Sequence, residues 1–241
     1  MTDDARSALV FGARNLGRAI LETLSGAGWH VAGVARSDAT LEGVTAVGGL
    51  AMRGDVTDPA SVGQALEHAA AVNGPLDLVV NAASAYGGTR SGPFGGGPLA
   101  EAAPDAFDAW ASAPPRAAFT FLSATARFLV AQGRAATIVQ VTGGSSRRAM
   151  PGRGLWAAGA FGVRALTQAA ALELREQGIH VALLIVDAGI QPLTGTRPGA
   201  DPAALADAHQ IARAVQFLGE QGAQAATHEL QVTPLAERWV P

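Results

Sequence analysis

A chain of 241 residues with 49% apolar content can bury a sizeable core, and no linker or composition shift divides it, so residues 1–241 are expected to form one globular domain. Charged residues make up 15% and the formal net charge is −3, which leaves no electrostatic footprint for DNA, RNA or an anionic membrane. Cysteine is absent, the five histidines are scattered, the opening MTDDARS is unlike a secretory leader and no apolar run is long enough to span a bilayer, so the expectation is a cytoplasmic protein without metal or thiolate chemistry.

Short apolar runs alternate with longer stretches of helical periodicity, the pattern of βαβ units around a parallel sheet. SALVFG (7–12) is the first strand, and it turns into the helix LGRAILETLSGAG (16–28), whose Leu16, Ile20 and Leu24 recur every four positions. HVAGVA (30–35) and LAMRGDV (50–56) hold the second and third strands. DPASVGQALEHAAAV (58–72) is a helix with Asp58 as its cap and Pro59 at its first position. LDLVVNAA (76–83) is a fourth strand of unbroken apolar character, followed by the Gly-rich loop SAYGGTRSGPFGGGP (84–98). Helices are expected over 105–112 and 116–132, then the strand ATIVQVTG (136–143), a helix over 156–177 and the strand HVALLIVDAG (180–189). A helix over 207–222 and the strand HELQVT (228–233) close the chain.

The turn FGARNLGRA places Gly12 after a strand and Gly17 at a helix start, where glycine lets the backbone approach a pyrophosphate seated on the positive helix end. Two glycines in such a turn also occur in folds that bind nothing. Arg36 follows the second strand, where the ribose of a dinucleotide lies and an arginine can pair with a 2′-phosphate, and Arg14 adds a second charge in the turn. Both arginines suit a solvated surface equally well.

Taken together, these segments resemble the short-chain dehydrogenase/reductase family along nearly the whole chain. DVTD (55–58) resembles its adenine contact, NAAS (81–84) its Asn-Asn-Ala-Gly motif, and DAGIQPLT (187–194) its nicotinamide loop. The resemblance implies a Rossmann-like, doubly wound, mostly parallel sheet of seven strands with helices on both faces. It also implies an NADP(H) site made of Gly12, Arg14, Asn15, Leu16, Gly17, Arg36, Asp55, Val56, Asn81, Ala82, Ala83, Gly189 and Ile190. The turn departs from the family pattern: Gly12 to Gly17 is one residue shorter than Gly-x-x-x-Gly-x-Gly, and the middle glycine has no counterpart.

A second set of departures falls on the positions that carry the family's proton relay. By the resemblance, the catalytic serine, tyrosine, lysine and asparagine correspond to Gly143, Trp156, Ala160 and Pro114. The sequence contains no lysine anywhere, and Tyr86 is its single tyrosine. Carbonyl reduction needs an acid for the oxygen and a donor that polarises it; losing either costs about 10² to 10⁴ in rate. Tyr86, Thr142 and Asp187 are expected near the carboxyl-end crevice as replacement candidates. Ser145 and Ser146 are ordinary turn formers. Arg147, Arg148 and Arg153 suit either an anionic ligand at the crevice mouth or a solvated loop, and Arg164 suits a surface or an interface. The pair Pro114–Pro115 should distort the helix that contains it.

The helix around 157–171 is smooth with Ala and Gly, and the resemblance implies pairing of subunits through it as a homodimer or homotetramer. The leading expectation is therefore an NADP(H)-binding but catalytically impaired relative, a pseudoenzyme serving as sensor, scaffold or partner of an active relative in a mixed oligomer, with room for a small-molecule ligand in the crevice. The alternative is an NADP-dependent oxidoreductase acting on an alcohol/carbonyl pair with a non-standard acid/base set.

Overall fold

The computed structural model describes residues 5–84 and 92–237. In chain order, β1 (Ser7–Phe11) leads into α1 (Leu16–Gly26), β2 (His30–Ala35) into α2 (Asp38–Ala46), and β3 (Leu50–Arg53) into α3 (Pro59–Asn73). Next comes β4 (Leu78–Asn81), then the single-turn α4 (Pro104–Phe107), a π turn over Asp108–Ser112 and the long α5 (Ala113–Gln132). β5 (Ala136–Gly143), α6 (Gly154–Glu173) and β6 (Ile179–Val186) follow. Two short strands, β7 (Gly189–Ile190) and β8 (Leu205–Ala206), precede α7 (Ala208–Gly219) and β9 (Glu229–Val232).

Seven strands form one sheet in the order β3-β2-β1-β4-β5-β6-β9, and every neighbouring pair is parallel. Side chains alternate across it, as strand geometry requires. Ala8 and Val10 of β1 pack with Leu16, Ile20 and Leu24 of α1 and with Ile211 and Val215 of α7. Leu9 and Phe11 point the other way, onto Val62 and Leu66 of α3 and Phe121 of α5. Phe11 and Phe121 meet edge to face at 5.6 Å, a geometry worth about 0.5–1.5 kcal/mol beyond the area they bury. Strand order reverses direction between β1 and β4, which opens a crevice at the carboxyl ends of those strands.

Several boundaries differ from the sequence reading. α2 is an additional helix, buried only through Gly43 and Val44, so it shows no apolar stripe. The sixth strand ends at Val186; the Asp187 amide still bonds to the Val232 carbonyl of β9 at 3.0 Å, and its side chain is held in an ion pair with Arg148. The helix expected over 105–112 is one α turn and a π turn; α5 then starts with the proline pair in its first turn, where missing N–H groups cost nothing. Among the described residues no helix is long and apolar enough to cross a membrane.

Candidate active site

Two walls face each other across the crevice, and the first is the turn between β1 and α1. Gly12 has φ +80, and a Cβ on it would lie 2.5 Å from the Ala83 backbone, so glycine is demanded by the close approach of β1 to β4. Gly17 is equally confined, because a Cβ there would sit 2.2 Å from the Gly12 carbonyl oxygen. The amides of Gly12 and Ala13 both donate to the Val34 carbonyl, at 3.0 and 3.1 Å. Asn15 adopts φ 45, and its side chain ties the turn to the loop after β6: Oδ1 accepts from the Leu193 amide at 2.9 Å and Nδ2 donates to the Gln191 carbonyl at 3.4 Å. Leu16 is buried, whereas Arg14 is exposed.

At the outer end, Arg36 Nη1 lies 3.6 Å from Asp55 Oδ2, with the Arg36 side chain 77% exposed. Burial raises the Asp55 carboxyl, but the Thr57 amide and hydroxyl, at 2.9 and 2.8 Å, and the Arg36 charge together hold it below its ordinary value. Val56 is buried beside it. At the inner end, buried Asn81 donates to Gln140 Oε1 at 3.0 Å and accepts from the Ala83 amide at 3.1 Å, which fixes Ala82 and Ala83 at the crevice floor. Gly189 and Ile190 form the opposite rim, clipped to Leu205 and Ala206 as a two-strand ladder.

The second wall is the start of α6. The Trp156 ring lies over the end of β5, and a Cβ on Gly143 would come 3.5 Å from its Cζ2. Phe94 packs edge-on against Trp156 at 4.7 Å and against Trp110 at 5.0 Å. Ala160 is 5% exposed, and the Pro114 ring borders α6 at Gly159, 3.3 Å from where a Cβ there would be. Thr142 is half-buried on the face of β5 that carries Ile138 and Gln140. Tyr86 falls outside the described residues.

Asp187 sits at the end of β6, 8% exposed, and Arg148 Nη1 and Nη2 both donate to its carboxylate, Nη2 at 3.2 Å. Gln231 also donates to it, at 3.3 Å. Arg147 is 3.7 Å from Glu229, and Arg164 grips Glu229 with two bonds, at 2.7 and 2.9 Å. Neither a solvated basic loop nor a surface arginine describes this arrangement: Arg147, Arg148 and Arg164 are internal clamps that pin the turn 144–148 and α6 to the far edge of the sheet. Burial raises the Glu229 carboxyl, but Arg164, Gln168 and Arg147 outweigh it and hold the group below its ordinary 4.5. Sequence reasoning missed the partners because Asp187 and Glu229 lie far from the arginines along the chain.

The sequence profile of the short chain dehydrogenase family matches residues 6–191. The chain belongs to the short-chain dehydrogenase family. A sorbitol dehydrogenase from Cereibacter sphaeroides is 30% identical over 185 residues, 74% of this chain and 68% of that one. An L-xylulose reductase from Mesocricetus auratus is 31% identical over 179 residues, covering 73% and 68% of the two chains. Among solved structures, an alcohol dehydrogenase from the archaeon Thermococcus sibiricus complexed with 5-hydroxy-NADP superposes with a TM-score of 0.79 at 22% identity, over 99% of this chain and 100% of that one. A metagenomic short-chain oxidoreductase in complex with NADP gives 0.73 at 24% identity, over 96% and 98%. In the family's terms, the crevice between the Gly12–Gly17 turn and the start of α6 is the candidate active site.

Proposed function

We propose that the chain is an NADP(H)-dependent oxidoreductase that acts on an alcohol/carbonyl pair with an acid/base set other than Ser-Tyr-Lys. The observation that carries this reading is the cationic outer end of the crevice. α1 begins with no side-chain cap and no acidic residue in its first turn, and Arg14 and Arg36 are both exposed beside it. That donor set fits a 2′-phosphorylated dinucleotide, with Arg36 toward the 2′-phosphate, the Gly12–Gly17 turn with Arg14, Asn15 and Leu16 toward the diphosphate, and Asp55 and Val56 toward the adenine. Asn81, Ala82, Ala83, Gly189 and Ile190 wall the inner end. The names of the relatives, dehydrogenases and reductases, support the same reading.

When bound, the nicotinamide supplies or accepts a hydride. The chain's own part is to hold the substrate oxygen and to move a proton. Asp187 is committed to Arg148 and Gln231, which leaves the Thr142 hydroxyl as a donor to the oxygen and Tyr86 as the sole phenol in the sequence. The sequence holds no lysine to assist that phenol, and turnover is accordingly slow.

One observation favours the second reading, a nucleotide-holding pseudoenzyme. The Trp156 ring fills space directly over Gly143, wedged there by Phe94. In that reading the protein is a sensor, a scaffold or the partner of an active relative, and the exposed Phe119 and Phe161 on α5 and α6 support subunit contact through those helices. NADPH oxidation across a panel of aldehydes and ketones separates the two. Turnover that falls in Thr142→Ala or Tyr86→Phe supports the first reading. Saturable NADPH binding without turnover supports the second, and the absence of both overturns the two together.

A further inference from the structure

Arg153, the residue before α6, is held differently from the arginines around it. Arg147, Arg148 and Arg164 each have a carboxylate, whereas among the described residues none lies within ion-pair reach of Arg153. Instead its guanidinium stands 5.4 Å from the centre of the Phe94 ring and 6.0 Å from that of Trp156. A guanidinium placed over aromatic faces is oriented and partly desolvated while its in-plane N–H groups stay available, the arrangement that favours a two-pronged grip on an oxyanion.

The chain goes to some length to build this arrangement. Gly95, Gly96 and Gly97 all have positive φ, at 82, 93 and 79. A Cβ on Gly95 would lie 3.0 Å from Arg153 Cα, and one on Gly96 would lie 2.7 Å from Leu155. The glycine run thus lets the segment lie flat on the first turn of α6 and drive Phe94 between Trp110 and Trp156. Phe94 and Leu99 remain 53% and 71% exposed, and Leu99 reaches to 3.3 Å from where a Cβ on Gly154 would be. The result is a guanidinium with no carboxylate in reach among the described residues, set in an apolar, aromatic rim beside the end of β5.

We infer that Arg153 is a specificity-determining residue and that the crevice takes a ligand with a single carboxylate on an apolar or aromatic body. The carboxylate meets Arg153 and the body lies along Phe94 and Leu99. A single guanidinium matches a monoanion better than a phosphate monoester, which carries close to two charges at neutral pH. This inference rests on the crevice being the substrate site of the proposed function, and it adds the class of substrate.

The test is calorimetric titration of phenylglyoxylate, its methyl ester and phenyl phosphate into the protein, with NADPH titrated separately. The acid should bind at least about tenfold tighter than the neutral ester and tighter than phenyl phosphate. Arg153→Met, which keeps the apolar stem, should weaken the acid by about ten- to a hundredfold and erase its advantage over the ester. Arg153→Lys should recover part of the loss, and NADPH affinity in both variants should match the wild type, which also reports that they fold. Equal binding of acid and ester to the wild type, no binding of either, tighter binding of phenyl phosphate, or an acid preference that survives Arg153→Met overturns the inference. NADPH binding that persists in those cases leaves the nucleotide reading standing, whereas its absence in the wild type defeats that reading separately.

Discussion

Replacing Asp187 with asparagine tests whether the turn 144–148 is held by electrostatics. The carboxylate side chain is 10% exposed and that of Arg148 is 20%, so neither charge is shared much with water. A Cβ on Gly144 would lie within 1.8 Å of Asp187 Oδ1, which shows how closely the carboxylate is packed against the turn. Asparagine keeps the shape but removes the negative charge that Asp187 presents to Arg148. Removing one partner of a buried pair costs about 3–5 kcal/mol, a large share of the roughly 5–15 kcal/mol that separates folded from unfolded chains. At roughly 2–4 °C per kcal/mol for a chain of this size, Tm should fall by about 10 °C. Urea unfolding monitored by circular dichroism gives the free energy directly. The double variant Asp187→Leu with Arg148→Met, which removes both charges, should recover most of the loss. A cost below about 1 kcal/mol for Asp187→Asn, or a double variant no more stable than the single one, would refute the reasoning.

Two further predictions concern the sheet. Gly12→Ala forces a side chain into left-handed backbone and onto Ala83, so it should lose at least about 2 kcal/mol in urea unfolding and abolish NADPH binding in the same preparation. His180 in β6 bonds the Thr227 carbonyl at 2.9 Å and faces His228 at 5.9 Å. Burial pushes it below its ordinary 6.5, aided by His228 and opposed by the Thr227 carbonyl. The folded chain therefore binds fewer protons than the unfolded one as pH falls, so the stability from neutral His180 is complete above about 6.5 and is lost on acidification. The urea midpoint should fall as the pH is lowered through about 6.5, and His180→Gln should flatten that fall.

The sheet was legible because its strands are short, apolar and evenly punctuated. SALVF, LVVN and IHVALLIV announce buried parallel strands, and the Asp58–Pro59 pair announces α3. α2 was not legible, since DATLEGVTA buries only Gly43 and Val44 and so shows no apolar stripe. Pro114 and Pro115 signalled a disturbance, and the π turn before them is where it is absorbed. Around the crevice, residue types were legible but partnerships were not. Arg148 finds Asp187 and Arg164 finds Glu229 only because β5, β6 and β9 lie side by side. Phe94 was hidden in a run of glycines whose positive φ values become meaningful only once α6 is seen beneath them.

The central claim is that the outer end of this crevice holds a 2′-phosphorylated dinucleotide through Arg36, and calorimetric titration of NADPH and NADH tests it most directly. Saturable binding is expected, tighter for NADPH than for NADH by at least about tenfold, with that margin lost in Arg36→Gln. No saturable heat up to millimolar NADPH, or a preference indifferent to Arg36, would contradict it.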